Sequence, residues 1–198
     1  MLFRSAPTID SDGGATVTLT AFVKNSQNRL IANQAVNFST NDVGAGLQVT
    51  ASTTDSAGIA SALLSITEPS VRTITVAASV GGLEATVNVD VVGTKLTLSG
   101  PTSMVSNQQI EFTAALRDSS GAPLRDRQLS VNSLAGNTLS ATVATTDSAG
   151  QAKFTVTGVV AGVDTISVLG LGVLASVDVD VRSEEHTSEL QSPCNLVC

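Results

Sequence analysis

Hydrophobic and polar side chains alternate along much of this chain. From Thr16 to Val23, valine, leucine or alanine falls on every second position, with threonines and Phe22 between them. The same period of two recurs in Ile59–Ile66, Arg72–Val80 and Leu83–Val92. Because successive side chains of a β-strand point to opposite faces, this pattern predicts strands with one buried face. No long apolar stripe with helical spacing appears, so the sequence predicts an all-β fold.

A hexapeptide occurs twice. Thr53–Gly58 is identical to Thr145–Gly150, 92 positions later. Its aspartate and its final glycine predict a type I turn with a left-handed exit, and an identical turn at this distance indicates two copies of one unit. Other blocks match with offsets of 93 to 90: Val17, Leu19, Ala21 and Val23 with Ile110, Phe112, Ala114 and Leu116; Asn25–Asn28 with Asp118–Gly121; Ile74 and Val76 with Ile166 and Val168; and Val87, Val89 and Val91 with Val177, Val179 and Val181.

The repeat predicts two tandem β-sandwich domains, residues 6–92 and 93–181, each with about seven strands. Only Val92-Gly93-Thr94 separates the last strand of one from Lys95–Leu98 of the next, so we expect a short hinge and a rod-like arrangement. Pro7 matches Pro101, which places the counterpart of Lys95–Leu98 at residues 1–5. Since those residues look non-native, we predict that domain 1 lacks most of its first strand and exposes an edge.

Both ends of the chain differ from the repeated region. Residues 182–192 can be translated from a common sequencing-library adapter, and residues 2–5 from the reverse complement of its beginning. We therefore expect residues 1–5 and 182–198 to be non-native and outside the fold, the latter as a disordered tail. The alternative is a charged native tail. The only histidine, His186, and both cysteines, Cys194 and Cys198, fall there, and their spacing and number are insufficient to predict a metal site.

Composition and charge exclude several function classes. The net charge is −7, from 10 Lys and Arg against 17 Asp and Glu. A sparse acidic surface disfavours nucleic acid and anionic lipid, which both require clustered basic side chains. The longest apolar run, Val168–Ala175, contains two glycines and is far too short to cross a bilayer. We expect no nucleic-acid partner and no membrane insertion.

Candidate catalytic and metal-binding residues are few. Residues 6–181 contain no histidine, which excludes a Ser-His-Asp triad. Asp55 and Asp147 head the repeated turn without a matched acid–base partner, so we interpret them as turn residues. Asp90, Asp178 and Asp180 lie on outward faces of final strands, and a calcium site between domains would need six to eight converging oxygens. We favour a solvated acidic face, and expect no catalytic, cofactor-binding or metal site.

Two further features were candidates for contacts. Arg125–Arg127 is either a recognition spot or a charged cluster on an edge strand that discourages aggregation. Phe22 lies on the polar face of its strand, where it packs between domains or against another chain, or is simply an isolated exposed aromatic.

The repeated blocks resemble a known family. Val17–Asn25, Gln34–Ser39 and Thr53–Ala60, with the matching Ile110–Val131 and Thr145–Ala152, resemble bacterial Ig-like domains of the intimin/invasin (Big-1-like) type. The resemblance implies two immunoglobulin-like sandwiches that act as a non-catalytic spacer of a cell-surface adhesin. It implies an extracellular location, anchored in the outer membrane through missing parts. The implied partners are neighbouring Ig-like repeats of the same chain, and a receptor only through a missing distal tip.

An alternative function is a carbohydrate-binding or accessory module of a secreted enzyme or phage fibre. Sugar-binding platforms usually present aromatic faces, and the sequence contains no Trp and no Tyr. This composition favours the spacer hypothesis.

Overall fold

The computed structural model describes residues 1–183, and all of its helix or strand assignments in that range are strands. Buried apolar side chains form two separate cores. One draws on residues 3–91 and the other on residues 96–181. The predicted pair of tandem all-β sandwiches is therefore confirmed, and we call them domain 1 and domain 2.

Domain 1 contains eight strands in two four-stranded sheets. The sheet orders are β1-β3-β6-β5 and β2-β8-β7-β4. All neighbours are antiparallel except β2 and β8, which run parallel and join the beginning of the domain to its end. The strands are β1 Leu2–Arg4, β2 Thr8–Asp10, β3 Val17–Phe22, β4 Asn37–Thr40, β5 Ala45–Ala51, β6 Ile59–Ile66, β7 Arg72–Val80 and β8 Leu83–Val92.

Domain 2 repeats this topology with nine strands, in the orders β13-β15-β11-β9 and β10-β17-β16-β12-β14. The extra strand arises because the counterpart of β5 is divided into β13 and β14, which pair in different sheets. The parallel pair is β10 and β17. The strands are β9 Lys95–Ser99, β10 Ser103–Val105, β11 Gln109–Arg117, β12 Gln128–Ser133, β13 Thr138–Leu139, β14 Val143–Thr145, β15 Gln151–Thr157, β16 Gly162–Gly170 and β17 Val173–Arg182.

The first strand corrects one expectation from the sequence. Residues 1–5 were expected outside the fold, but Leu2–Arg4 form β1 and pair with β3. Phe3 is buried against Phe38, with ring centroids 5.8 Å apart. β1 takes the place of β9, although it pairs three residues where β9 pairs five. An inward apolar side chain flanked by outward ones suits the edge of β3, whatever the origin of the residues.

The C-terminal boundary also shifts. Arg182, the first adapter-like residue, is the last residue of β17, and its carbonyl accepts a hydrogen bond from Ser106 N–H at 2.8 Å. The expectations for His186, Cys194 and Cys198 lie outside the described residues.

The pairing of β7 and β16 corrects the alignment of the two repeats. Phe38 of β4 pairs with Ala78, and its counterpart Val131 of β12 pairs with Val168. Val168 therefore corresponds to Ala78, and β16 follows β7 with an offset of 90. The sequence alignment, which used an offset of 92 here, is wrong by two residues.

The corrected register changes one core position. Asp164 pairs with Val179 as Ile74 pairs with Val89. Ile166 is therefore not the counterpart of Ile74; Asp164 is. Both side chains are fully buried. Domain 2 thus has a carboxylate where domain 1 has an isoleucine.

Candidate functional site

The aspartates of the repeated hexapeptide stabilise turns, as predicted. Asp55 Oδ1 accepts hydrogen bonds from the backbone N–H groups two and four residues later, at 2.8 and 2.9 Å. Asp147 makes the same two bonds at the same distances. Gly58 and Gly150 follow with φ of 66° and 72°, the predicted left-handed exit. The two settings are equivalent, which supports the repeat.

The outward aspartates of the final strands are engaged one by one rather than gathered. Asp90 accepts a hydrogen bond from the Thr73 hydroxyl at 2.6 Å, and Asp178 accepts one from the Thr165 hydroxyl at 2.7 Å. Asp180 accepts one from the arginine two residues later at 3.0 Å. Within residues 1–183, no group of three or more His, Cys, Asp or Glu side chains is arranged to hold a metal ion.

The charged cluster Arg125–Arg127 is not on an edge strand, which corrects that interpretation. It lies in the loop between β11 and β12, where Arg125 and Asp126 are largely exposed. Asp126 has a φ of 57°, so the chain turns here instead of extending. Arg127 points to domain 1, as described below. Phe22 lies under the guanidinium of Arg4, 5.9 Å from the ring centroid.

The linker between the domains contains two residues. β8 ends at Val92 and β9 begins at Lys95, which leaves Gly93 and Thr94. Gly93 has a φ of 96°, and a Cβ atom there would collide with the Cβ of Ser119. Glycine is thus required both by the backbone conformation and by the close approach of domain 2. Thr94 is buried, and its hydroxyl donates a hydrogen bond to the Pro69 carbonyl.

Two serines join the domains reciprocally. Ser119 N–H donates to Ser11 Oγ at 2.9 Å, and Asp12 N–H donates to Ser119 Oγ at 3.0 Å. Ser11 is only 4% exposed. Each such bond contributes about 0.5–1.5 kcal/mol. Because each serine uses its hydroxyl as an acceptor across the junction, the pair fixes both the spacing and the orientation of the two facing loops.

A second contact lies on the loop between β6 and β7, residues 67–71. Val71 N–H donates to the Leu171 carbonyl at 2.8 Å. A Cβ atom at Gly172 would lie 2.5 Å from the Val71 carbonyl oxygen, so this turn also requires glycine. Arg127 Nη1 lies 2.9 Å from Glu68 Oε1. These side chains are one-third to two-fifths exposed, so solvent screens the pair and it contributes about 1 kcal/mol or less.

Arg72 supports this loop from domain 1. Its Nη1 donates to the carbonyls of Glu68 and Ser70, while Nε and Nη2 form a two-pronged contact with Asp42 at 2.7 and 2.9 Å. The bonds from Arg72 hold the pKa of Asp42 below its ordinary value. Because one guanidinium binds both the loop after β4 and the junction loop, it positions the residues that contact domain 2.

Asp164 organises the corresponding region of domain 2. Its Oδ1 accepts from Ala135 N–H at 2.8 Å, and its Oδ2 accepts from the Ser133 hydroxyl and the Asn137 amide at 2.6 and 2.8 Å. Burial alone would raise its pKa, but these bonds outweigh the effect of burial and lower the pKa. The sequence did not predict this residue, because matching identical residues of the two repeats pairs Ile74 with Ile166 instead of Asp164.

A small cleft of about 200 Å³ lies at the junction and is lined by both domains, with Asp12, Glu68, Asp118 and Arg127 among its walls. The arrangement offers hydrogen bonds that orient one domain on the other. Among the described residues, no helix is long and apolar enough to cross a bilayer.

Comparisons with known proteins match the tandem arrangement. A family model described as "Bacterial Ig-like domain (group 1)" matches residues 4–92 and 105–182, more than half of the chain. The Yersinia pseudotuberculosis adhesin InvE is 18% identical, over 90% of this chain and 58% of that chain, with a TM-score of 0.54. The D0–D1 domain of intimin is 22% identical, over 92% and 98%, with a TM-score of 0.41.

The structure of invasin, a bacterial integrin-binding protein, is 20% identical to this chain, over 93% of this chain and 40% of that chain, with a TM-score of 0.44. The chain thus spans little more than half of InvE and less than half of the invasin structure. At these identities, the likeness to solved structures concerns the fold.

Proposed function

Because this chain belongs to the bacterial Ig-like domain (group 1) family, we propose that it is a non-catalytic spacer segment of a bacterial cell-surface adhesin. The segment holds a distal adhesive part away from the outer membrane. Its partners are neighbouring Ig-like repeats of the same chain, and it binds neither nucleic acid nor lipid. The adhesin setting and the surface location rest on the resemblance of its repeated blocks to intimin/invasin-type domains.

One observation carries the spacer role. Gly93, Ser11 and Ser119 form a junction in which a two-residue linker, a glycine without room for a side chain and two reciprocal hydrogen bonds act together. A spacer transmits position only if its domains keep a fixed relative orientation. These contacts favour such an orientation, because rotation of either domain breaks both serine bonds at once.

Residual dipolar couplings of the full chain test this proposal. We expect backbone couplings from both domains to fit one alignment tensor, as for a single rigid body. Two tensors of different magnitude and orientation would show independent domains and would refute the spacer role. Gly93→Ala should separate the tensors while each domain keeps its own fold, since the added methyl group collides with Ser119.

A glycan array addresses the alternative of a carbohydrate-binding module. The full chain is expected to show no saturable binding. Saturable binding to a defined glycan, abolished by unfolding, would contradict the spacer proposal and favour the alternative.

A further inference from the structure

Two turns of domain 2 contact domain 1, and domain 1 has the same two turns at its own free end. The contacting turns of domain 2 are Asp118–Gly121 and Leu171–Gly172. Their counterparts in domain 1 are Asn25–Asn28 and Gly81–Gly82. The free end of domain 1 therefore repeats the surface that is already used once inside this chain.

The geometry of the first turn is the same in both domains. Asn25 Oδ1 accepts hydrogen bonds from the N–H groups two and four residues later at 3.0 and 2.9 Å, and its carbonyl accepts one from Asn28 N–H at 3.0 Å. Asp118 makes the corresponding bonds at 2.9, 2.9 and 3.1 Å. Because the turns match, Ser26 has the backbone setting of Ser119.

The two turns differ in whether another domain contacts them. Ser119 uses its N–H and its hydroxyl oxygen to contact domain 1. Ser26 is exposed, and neither group makes a hydrogen bond with any part of residues 1–183.

The second turn gives the same result. Gly81 and Gly82 have φ of 54° and 81°, close to the 49° and 78° of Leu171 and Gly172. A Cβ atom at Gly172 would meet domain 1, whereas a Cβ atom at Gly82 would meet nothing within 4 Å. Gly82 thus has the conformation of Gly172, at a place where nothing in the described chain makes contact.

We propose that this end of domain 1, residues Asn25–Asn28 with Gly81–Gly82, is the docking surface for a preceding Ig-like domain. That domain presents a side-chain oxygen where domain 1 presents Ser11, and a backbone N–H where domain 1 presents that of Val71. The proposal rests on the proposed spacer function and names the partner of its free end. Gln34 replaces Arg127 here, so this junction contains no counterpart of the Arg127–Glu68 ion pair and lacks the salt dependence that this pair produces.

A three-domain chain tests the proposal. Residues 1–96 are placed directly before residues 2–198, so that the added copy uses the existing linker and completes β1 with Lys95 and Leu96. The added copy has the sequence of domain 1 and therefore folds as domain 1 does. Hydrogen exchange is measured at the Ser26 amide of the original domain 1, which follows the added copy, and is compared with exchange at the same amide in the two-domain chain. We expect it to slow about tenfold, as a new hydrogen bond would produce.

The Ser11→Ala variant and the Ser119 amide are the controls. Ser11→Ala in the added copy alone should restore fast exchange at the Ser26 amide of the original domain 1 and leave the Ser119 amide protected. Fast exchange at Ser26 beside a protected Ser119 amide would overturn this inference but not the spacer function. Fast exchange at both amides would contradict the spacer function as well. Protection of Ser26 in the two-domain chain that rises with protein concentration would overturn the inference in favour of a second copy as the occupant.

Discussion

In domain 1 an arginine holds the loop that follows β4, and in domain 2 an aspartate holds the corresponding loop that follows β12. Arg72 donates to Asp42 and to carbonyls of the next loop, while Asp164 accepts from a hydroxyl, an amide side chain and a backbone N–H. Asn137 extends the second network by accepting from Val159 and Val160 N–H. The donors and acceptors have exchanged places.

This difference shows what the fold requires. In both domains, hydrogen bonds connect the loop that follows β4 or β12 to the loop that precedes β7 or β16, but the residues that form these bonds differ. Arg72 remains about one-fifth exposed and keeps contact with water. Asp164 has no exposure, so protein donors must replace the water molecules that would otherwise hydrogen-bond to its carboxylate oxygens. The stability of domain 2 therefore depends more on the hydrogen bonds of Asp164 than the stability of domain 1 depends on those of Arg72.

The largest effect is expected for Asp164→Ala. Ser133, Asn137 and Ala135 N–H would lose their acceptor inside the protein, which should destabilise domain 2 by about 3–5 kcal/mol. Chemical denaturation followed by domain-resolved amide exchange measures this. Ile74→Val at the matching position of domain 1 is the control, with an expected loss of about 1 kcal/mol in domain 1 alone. A loss below that of the control would disprove the dependence of domain 2 on Asp164.

Acid should also destabilise domain 2 more than domain 1. The pKa values of Asp42 and Asp164 are lowered from 3.8, and that of Asp118 is lowered too, since hydrogen bonds from its turn outweigh burial. A carboxyl with a lower pKa in the folded state contributes stability above its unfolded pKa and loses it as the pH falls through the folded value. Domain 2 has two such groups and domain 1 has one, because Asn25 replaces Asp118.

The free energy of unfolding of each domain, measured from about pH 6 down to about pH 2, checks this expectation. We expect a steeper loss in domain 2 below pH 3.8. Asp164→Asn should be less stable than the parent at neutral pH and should flatten the acid dependence of domain 2. Equal slopes for the two domains of the parent chain would show that these carboxyls do not distinguish them.

A smaller effect is expected for Arg72→Met. The substitution retains a long apolar stem and removes the bonds to Asp42 and to the junction loop, so domain 1 should lose about 2 kcal/mol. Exchange at the Val71 amide, which donates to the Leu171 carbonyl, should become faster, because the loop that contains Val71 loses its support. The matched control is Lys153→Met, which removes an exposed pair with Glu111 in domain 2 and should change stability by less than about 0.5 kcal/mol. Equal losses of stability in Arg72→Met and Lys153→Met would show that the bonds of Arg72 contribute no more than an exposed ion pair.

The smallest effect is expected for Arg127→Gln, which gives domain 2 the residue found at the matching position of domain 1. Loss of the Glu68 contact should weaken the junction by about 0.5 kcal/mol at low salt and by less at high salt. Ser119 amide exchange at two ionic strengths measures the difference. A salt dependence that persists in the variant would assign it to other charges.

Much of the fold was predictable, because alternation over Ile59–Ile66, Arg72–Val80 and Leu83–Val92 specified strands that the structure contains with the same bounds. The repeated turn was predictable in detail because aspartate and glycine have local roles. Asn28 stands at the position of Gly121, and both adopt the left-handed conformation, with φ of 62° and 85°. These features depend on nearby residues alone.

The buried carboxylate was not predicted, for a physical reason. A slip of two residues keeps every side chain of a strand on its own face, so alternation cannot distinguish Ile166 from Asp164 as the counterpart of Ile74. The turns contained the missing signal, since aligning Leu171–Gly172 with Gly81–Gly82 gives the correct offset. The serine contact at the junction had no signal at all, because it depends on how two separate loops meet.

The parallel pairing of β2 with β8, and of β10 with β17, has a mechanical consequence. When a domain is pulled by its two ends, its second strand (β2 or β10) and its last strand (β8 or β17) are drawn in opposite directions along their length. Their interstrand bonds, among them Ser11 N–H to the Val92 carbonyl and Ser106 N–H to the Arg182 carbonyl, then bear the load together instead of opening one after another. Tension along such a chain meets shear resistance in every repeat.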